Sequence, residues 1–314
     1  MKPSFWEVDV EGGSAHVQLD ARWLRLLPAL EKCGLLMACA PSGPVTAAVA
    51  ARRLRFESVP DSSEWVCLES GIELCPANLG GVLAALEPLE GGQHTASLQF
   101  FDREGEGCLK LMLTNHSDVT AFETFVCRHA MPRHLAHFGP SGNACSLVSD
   151  AEPDAQAVRS LWNGLRRTLP TSIFPGVDGI SRRRALAVAG PKYAWCVREN
   201  AVLQLLRAMT LADAPLGIGV RNDAVFMPAG MHLSHWADCG CGTTFFSSVV
   251  QLTLRHELNA CECWATRFEV HGSEVLSVEV YDADGHFRAG LGLRPEAHPV
   301  QREQWNHWLR EAAC

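Results

Sequence analysis

Two stretches of this sequence repeat each other at a fixed distance, and that repeat limits the fold more than any other feature. Residues 97–113 run Ser-Leu-Gln-Phe-Phe-Asp-Arg-Glu-Gly-Glu-Gly-Cys-Leu-Lys-Leu-Met-Leu. Residues 277–293 run Ser-Val-Glu-Val-Tyr-Asp-Ala-Asp-Gly-His-Phe-Arg-Ala-Gly-Leu-Gly-Leu. Ser97 matches Ser277, Asp102 matches Asp282, Gly105 matches Gly285, and Leu111 and Leu113 match Leu291 and Leu293, all at an offset of 180 residues. Each block reads as a strand, a turn built on Asp and Gly, and a second strand, which is a hairpin by its turn chemistry.

Other elements recur in the same order. Gly71-Ile-Glu-Leu and Val250-Gln-Leu-Thr-Leu are short β-patterned runs. Phe122 and Phe125 correspond to Trp305 and Trp308, aromatics three apart on one helical face. A helix-like stretch followed by a strand opens each half, at Pro28–Leu36 and Ala201–Met209. The period is far too long for a solenoid, so it denotes two homologous domains. The length of 314 residues suits two domains of about 150 each. The expected fold class is α+β, with two homologous halves. Each half is a large antiparallel sheet with flanking helices, and the two sheets stack. The expected domains are residues 1–130, a linker with helices over 131–200, and residues 201–314. Within the linker, Val158–Arg166 is helical, and Ser181 caps a second helix through Arg182-Arg-Arg-Ala-Leu-Ala-Val.

Composition narrows the function. The net charge of −8 argues against nucleic acid as the main partner. No apolar run approaches the roughly 20 residues of a membrane span, so no membrane insertion is expected. The opening Met-Lys-Pro-Ser-Phe-Trp-Glu-Val-Asp places acidic residues where a signal peptide needs its apolar stretch. Thirteen cysteines, an odd number spread along the chain, fit a reducing cytoplasm with most thiols in the core. The expected localisation is therefore cytoplasmic.

The second half carries a run of motifs in order: Val250-Gln-Leu-Thr-Leu, Trp264-Ala-Thr-Arg267, Ser277-Val-Glu-Val-Tyr-Asp-Ala-Asp-Gly285, Gly290-Leu-Gly-Leu-Arg294 and Trp305-Asn-His-Trp-Leu309. The first half repeats a weaker version, with Ser97–Gly105 and Leu109-Lys-Leu. Together these resemble the haem-utilisation family of hemin-degrading factors (HemS/ChuX type), over about residues 28 to 310. The resemblance implies a cytoplasmic bacterial protein that receives haem after import and stores it, hands it on or degrades it. It implies haem as the ligand, held between sheet and helices by a histidine on one side of the iron and an arginine on the other. If the protein degrades haem, the haem carries much of the oxygen chemistry and an external donor supplies electrons.

The family positions map unevenly onto this chain. The axial histidine position is Leu169, and the opposing arginine position is Thr95. Phe268 stands at a propionate-binding lysine, and Leu291 at a tyrosine. Leucine cannot ligate iron, and threonine cannot supply a guanidinium's charge. Arg182, beside Arg183 and Arg184, is retained and is the expected contact to a haem propionate or another carboxylate-bearing ligand. The alternative reading is a family scaffold that has lost haem ligation and binds a different ligand or an unknown protein partner.

Other constellations bear on the site. His94 adjoins Thr95, so a one-residue change of register would turn its imidazole toward the pocket, which makes it the candidate iron ligand. His129, His134 and His137 read as a solvated linker beside Pro132. Cys239-Gly-Cys241 and Cys261-Glu-Cys263, with His232 and His235 nearby, are spaced more tightly than Cys-x-x-Cys knuckles. Cys261 and Cys263 fall on one face of a strand, so no metal site is expected. Arg166 and Arg167 extend the basic group. No glycine-rich phosphate loop and no Gly-x-Ser-x-Gly elbow is present.

Overall fold

The structure, a computed structural model, describes residues 15–59, 65–88, 94–131, 154–164, 181–198, 200–270 and 273–314. The first half of the chain contains β1 (Ala15–Leu19), α1 (Trp23–Ala29), β2 (Gly34–Ser42), β3 (Val45–Ala51), β4 (Phe56–Ser58), β5 (Trp65–Cys67), β6 (Glu73–Leu74), β7 (Leu79–Pro88), β8 (His94–Asp102), β9 (Gly107–Ser117) and α2 (Val119–His129). There follow α3 (Ala155–Gly164), α4 (Arg182–Ala189), β10 (Ala194–Val197), α5 (Ala201–Leu211), β11 (Pro215–Arg221) and β12 (Val225–His232). The chain continues through β13 (His235–Cys239), β14 (Gly242–Phe246), β15 (Val250–Arg255), β16 (Glu262–Val270), β17 (Ser273–Tyr281), β18 (Phe287–Leu293) and α6 (Pro299–Glu311). Among the described residues, no helix is long and apolar enough to cross a membrane.

The strands form two nine-stranded sheets, ordered β1-β7-β8-β9-β2-β3-β15-β14-β13 and β10-β16-β17-β18-β11-β12-β6-β5-β4. Rank by rank, each strand of one sheet has its sequence counterpart in the other. The last three strands of each sheet come from the opposite half of the sequence. The chain divides into two compact units, 1–41 with 48–143 and 222–227, and 42–47 with 144–221 and 228–314. Segments 42–47 and 222–227 are themselves 180 residues apart. The helices α3 and α4 belong to the second unit.

The repeated hairpins agree in detail. Ser97 pairs with Met112 and Leu98 with Leu111, while Ser277 pairs with Gly292 and Val278 with Leu291, which is the same register moved by 180. Both carry a bulge at the matching place, between Phe100 and Phe101 and between Val280 and Tyr281. The turns are built alike. Asp102 Oδ1 accepts from the backbone N–H of Glu104 and Glu106, and Asp282 Oδ1 from those of Asp284 and His286. Gly105 and Gly285 follow with φ of 88° and 82°, a left-handed conformation that glycine adopts without steric cost.

The closing helices also correspond, with one difference. Asp118 caps α2, and His298 caps α6 in a capping box with Gln301. Phe122 and Trp305 are fully buried counterparts, and Trp305 Nε1 donates to Leu276 O. Phe125 is buried, but Trp308 is 37% exposed, so the second aromatic of the pair is not equivalent. The opening helix lies earlier than the sequence suggests. α1 ends at Ala29, a short 3-10 turn spans Leu30–Cys33, and Gly34 at φ 76° starts the strand.

Asp282 differs from Asp102 in also holding Arg288, whose Nε lies 2.7 Å and Nη2 2.5 Å from Oδ2. Partial burial pushes the Asp282 carboxyl up. The His286 N–H and Arg288 outweigh it and hold the group below the usual carboxylate range. Its contribution to stability is therefore present above the unfolded-state carboxylate pKa and is lost as pH falls through the lower folded value. We expect Asp282→Ala to cost about 2–3 kcal/mol and Asp102→Ala about 1 kcal/mol in urea unfolding. Equal costs would show that Arg288 adds nothing to the turn.

Candidate functional site

In the second unit, α3 and α4 cover one face of β16 and β17. Strand side chains alternate between faces. Val278 and Val280 point to one side of β17, and Ser277, Glu279 and Tyr281 to the other, and all five are buried. The face that would otherwise meet water is closed by Val158 and Trp162 of α3 and by Ala185, Leu186 and Ala189 of α4.

The cap of α4 forms as its sequence implies, with Ser181 Oγ accepting from the Arg184 N–H at 3.3 Å. Arg182, the first residue of the helix, turns inward and is 8% exposed. A cation is unfavourable at a helix N-terminus, so its position depends on a counter-charge. That counter-charge is Glu279, itself 4% exposed. Arg182 Nε donates to Glu279 Oε2 at 2.5 Å, and Nη2 donates to Oε1, a bidentate fork. Tyr281 Oη donates to Glu279 Oε2 at 2.6 Å, and Thr266 Oγ1 lies 3.4 Å from Oε1. Thr266 and Ser277 are hydrogen-bonded to each other at 2.6 Å. Desolvation opposes the charge on Arg182, but Glu279 outweighs it and keeps the guanidinium protonated. Burial, reinforced by the Glu279 charge, raises the Tyr281 phenol far above its usual range, so it remains a donor.

Aromatic side chains surround this pair. The Trp162 and Phe268 rings stack, with centroids 5.0 Å apart and planes at 4°. Trp162 Nε1 donates to Arg267 O at 2.8 Å. The Arg182 guanidinium carbon lies 5.9 Å from the Trp162 ring centroid, within cation–π range. Tyr193 approaches Trp162 edge-on, and Phe287 approaches Tyr281 likewise. Arg183 points outward and forks onto the exposed Glu262, which also accepts from Trp264 Nε1.

The first half places a different group at the equivalent position. Ala85 pairs with Ser97 and Thr266 with Ser277, an offset of 181 on the neighbouring strand. Phe268 is therefore the counterpart of Glu87. Glu87 accepts from Lys110 Nζ at 2.5 Å, Gln99 Nε2 at 3.2 Å and Ser97 Oγ at 3.4 Å, a half-exposed polar cluster.

The residues singled out from sequence fall in several places. Arg182 is buried against Glu279, so its fork already holds a carboxylate of the chain itself. That differs from the expectation of a side chain open to a ligand. His94 is exposed at the start of β8, opposite Pro88, and Thr95 is half-buried opposite Glu87. Phe268 and Leu291 are buried in strands. Leu169, His134, His137, Arg166 and Arg167 lie outside the described residues. His129 sits in the last turn of α2 with a buried Nε2 that has no hydrogen-bond partner among the described residues, and burial lowers its pKa. Cys263 is a buried core residue, Cys261 is half-buried just ahead of β16, and Cys239 and Cys241 are exposed. His232 faces Asp213 at 3.4 Å, and His235 stacks on Phe246. Among the described residues, the grouping with metal-ligand spacing is Asp282, Asp284 and His286, which is the hairpin turn already described. Sequence reasoning missed Glu279 and Tyr281. Their signal was a glutamate between two valines in a strand otherwise buried.

No family model matches the chain. The hemin transport protein HmuS of Yersinia pestis is 25% identical over 243 residues, 72% of this chain and 64% of HmuS. The hemin transport protein HemS of Yersinia enterocolitica is 23% identical over 235 residues, 70% of this chain and 62% of HemS. The aligned part thus spans less than two thirds of these relatives. Holo-PhuS, a heme-binding protein from Pseudomonas aeruginosa, superposes with a TM-score of 0.78 at 24% identity, covering 95% of this chain and 87% of that one. The heme-degrading enzyme ChuS of Escherichia coli O157:H7 gives 0.77 at 18% identity, covering 94% and 86%. At these identities the structural likeness is one of fold.

Removing one partner of a buried ion pair leaves the other charged and desolvated. Glu279→Gln is therefore expected to destabilise the chain by about 3–5 kcal/mol. The double variant Arg182→Met/Glu279→Leu is expected to recover most of that loss. Urea denaturation checks both, and a double variant no more stable than Glu279→Gln would overturn the account.

Proposed function

We propose that the chain is a divergent member of the HemS/ChuX-type haem-utilisation family, and that it binds haem as cargo and hands it on in the cytoplasm during bacterial iron acquisition. The observation that carries the reading is the sequence likeness to two hemin transport proteins. The shared fold with a heme-binding and a heme-degrading protein is consistent with it.

The residues do not fit haem held in the family's usual way. The axial position is Leu169. Phe268, where a propionate-binding lysine is expected, is stacked on Trp162, and Leu291 is buried in β18. Arg182 acts in this reading as a positioning residue that holds α4 on β17 through Glu279. A propionate reaches its fork only by displacing that carboxylate. His94 is the proposed iron ligand, because it is exposed and borders Thr95.

Hemin titration tests the reading. A sharp Soret band saturating at one equivalent is expected. His94→Ala is expected to move that band and to weaken binding by at least about tenfold. Arg183→Ala, which alters an exposed pair with Glu262, should leave affinity unchanged. A broad band that never saturates would overturn haem as the cargo. An unchanged band in His94→Ala would remove His94 as ligand.

A further inference from the structure

The β13–β14 hairpin carries two thiols that haem handling does not use. Cys239 pairs with Gly242, so Gly240 and Cys241 are the two turn residues. The Sγ atoms of Cys239 and Cys241 lie 3.2 Å apart on an exposed tip. A Cβ built on Gly240 would meet nothing within 4 Å, so the tip is open on that side. The two thiols are electrostatically unequal. A hydrogen bond from Cys241, with the backbone N–H groups of Cys241 and Gly242, lowers the Cys239 pKa, and the same contact raises that of Cys241. An attacking thiol and a resolving thiol differ in this sense.

A cavity of about 290 Å³ opens beside Cys239, lined among others by Arg207, Asp238, Arg255, His256 and Asn259. Arg207 Nη2 holds Asp238 at 2.7 Å, while its buried Nε has no hydrogen-bond partner among the described residues. Arg255 is exposed and forms no ion pair among the described residues. Arg207 is committed to Asp238 and to the Trp236 ring, 5.8 Å from its guanidinium carbon, so the exposed Arg255 beside the two thiols is the cation that suits a ligand carrying both carboxylates and sulfur.

We propose that Cys239 and Cys241 form a thiol–disulfide exchange site for a small carboxylate-bearing disulfide of the glutathione type. The Cys239 thiolate attacks one sulfur of the small disulfide. A Cys239–S–S–R bond forms, and one thiolate RS⁻ leaves. Cys241 then gives its proton to solvent and attacks the Cys239 sulfur. The Cys239–Cys241 bond forms, and a second RS⁻ leaves. The protein loses two electrons and two protons, and the small disulfide gains the two electrons and departs as two thiols once protonated.

The test uses the full reduced chain with glutathione disulfide, followed by alkylation of remaining thiols and peptide mass mapping. A Cys239–Cys241 disulfide is expected before any other cysteine is oxidised. Cys241→Ser is expected to stop at a mixed disulfide on Cys239, and Cys239→Ser to lose the fast reaction. Glutathione disulfide should react about tenfold faster than the neutral bis(2-hydroxyethyl) disulfide, and Arg255→Gln should reduce that ratio toward one. Two thiols that stay alkylatable, or other cysteines oxidised first, would overturn the site. Equal rates in Cys239→Ser and Cys241→Ser would overturn the division of roles. Equal rates with both disulfides would overturn the carboxylate-bearing substrate.

Discussion

A charged pair shut away from water, Arg182 with Glu279, sets the conditions for everything around it in the second unit. Each ion alone would be prohibitively costly to bury, and their attraction offsets that cost only when the remaining lone pairs are also satisfied. Tyr281 and Thr266 supply those contacts. Such a pair adds little net stability over an apolar replacement, but it tolerates few geometries. A helix displaced by one turn on this sheet would strand a guanidinium beneath Trp162 and a carboxylate beside Tyr281. The pair thus specifies where α4 sits more than it strengthens the fold.

The two halves show what burial does to one ancestral position. Gln99 and Glu279 are counterparts at the 180-residue offset, as are Phe101 and Tyr281. In the first half the face bearing Gln99 is half-exposed, and Glu87 there works with Lys110 in partial contact with water. In the second half α3 and α4 close that face. The glutamate moves from β7 to β17, the Glu87 position becomes Phe268, and the cation comes from a helix instead of from a strand of the same sheet. The register, the bulge and the turn remain the same, because they depend on backbone pairing and on Asp and Gly at the turn, which the cover does not touch.

Local chemistry was readable from the sequence, and distant pairing was not. The hairpins were legible because an Asp that caps backbone N–H groups and a Gly at positive φ act within five residues of each other. The Ser181 cap was legible for the same reason. Arg182 and Glu279 are 97 residues apart, and nothing local in the sequence joins them. By its local sequence Arg182 is an available cation, but its charge is committed to Glu279. Trp305 and Trp308 share a helical face by spacing, yet in α6 the buried stripe runs through Trp305 and Leu309 and leaves Trp308 at its edge. The three-strand exchange between sheets also escaped, since β4, β5 and β6 are short and their partners lie far away in sequence.

On the proposed family reading, the polar contact positions differ in one direction: a buried Phe268 stands for a lysine, a buried Leu291 for a tyrosine, Thr95 for an arginine and Leu169 for a histidine. The chain also carries a net charge of −8, which repels a dicarboxylate cargo unless cations are placed to meet it. On the proposed reading, attraction to haem then comes mostly from apolar area, which is non-directional and little affected by salt. Directional groups fix orientation and slow release, so a holder left with His94 as its one directional contact exchanges its cargo quickly. Rapid exchange suits a protein that hands haem on better than one that keeps it through many turnovers.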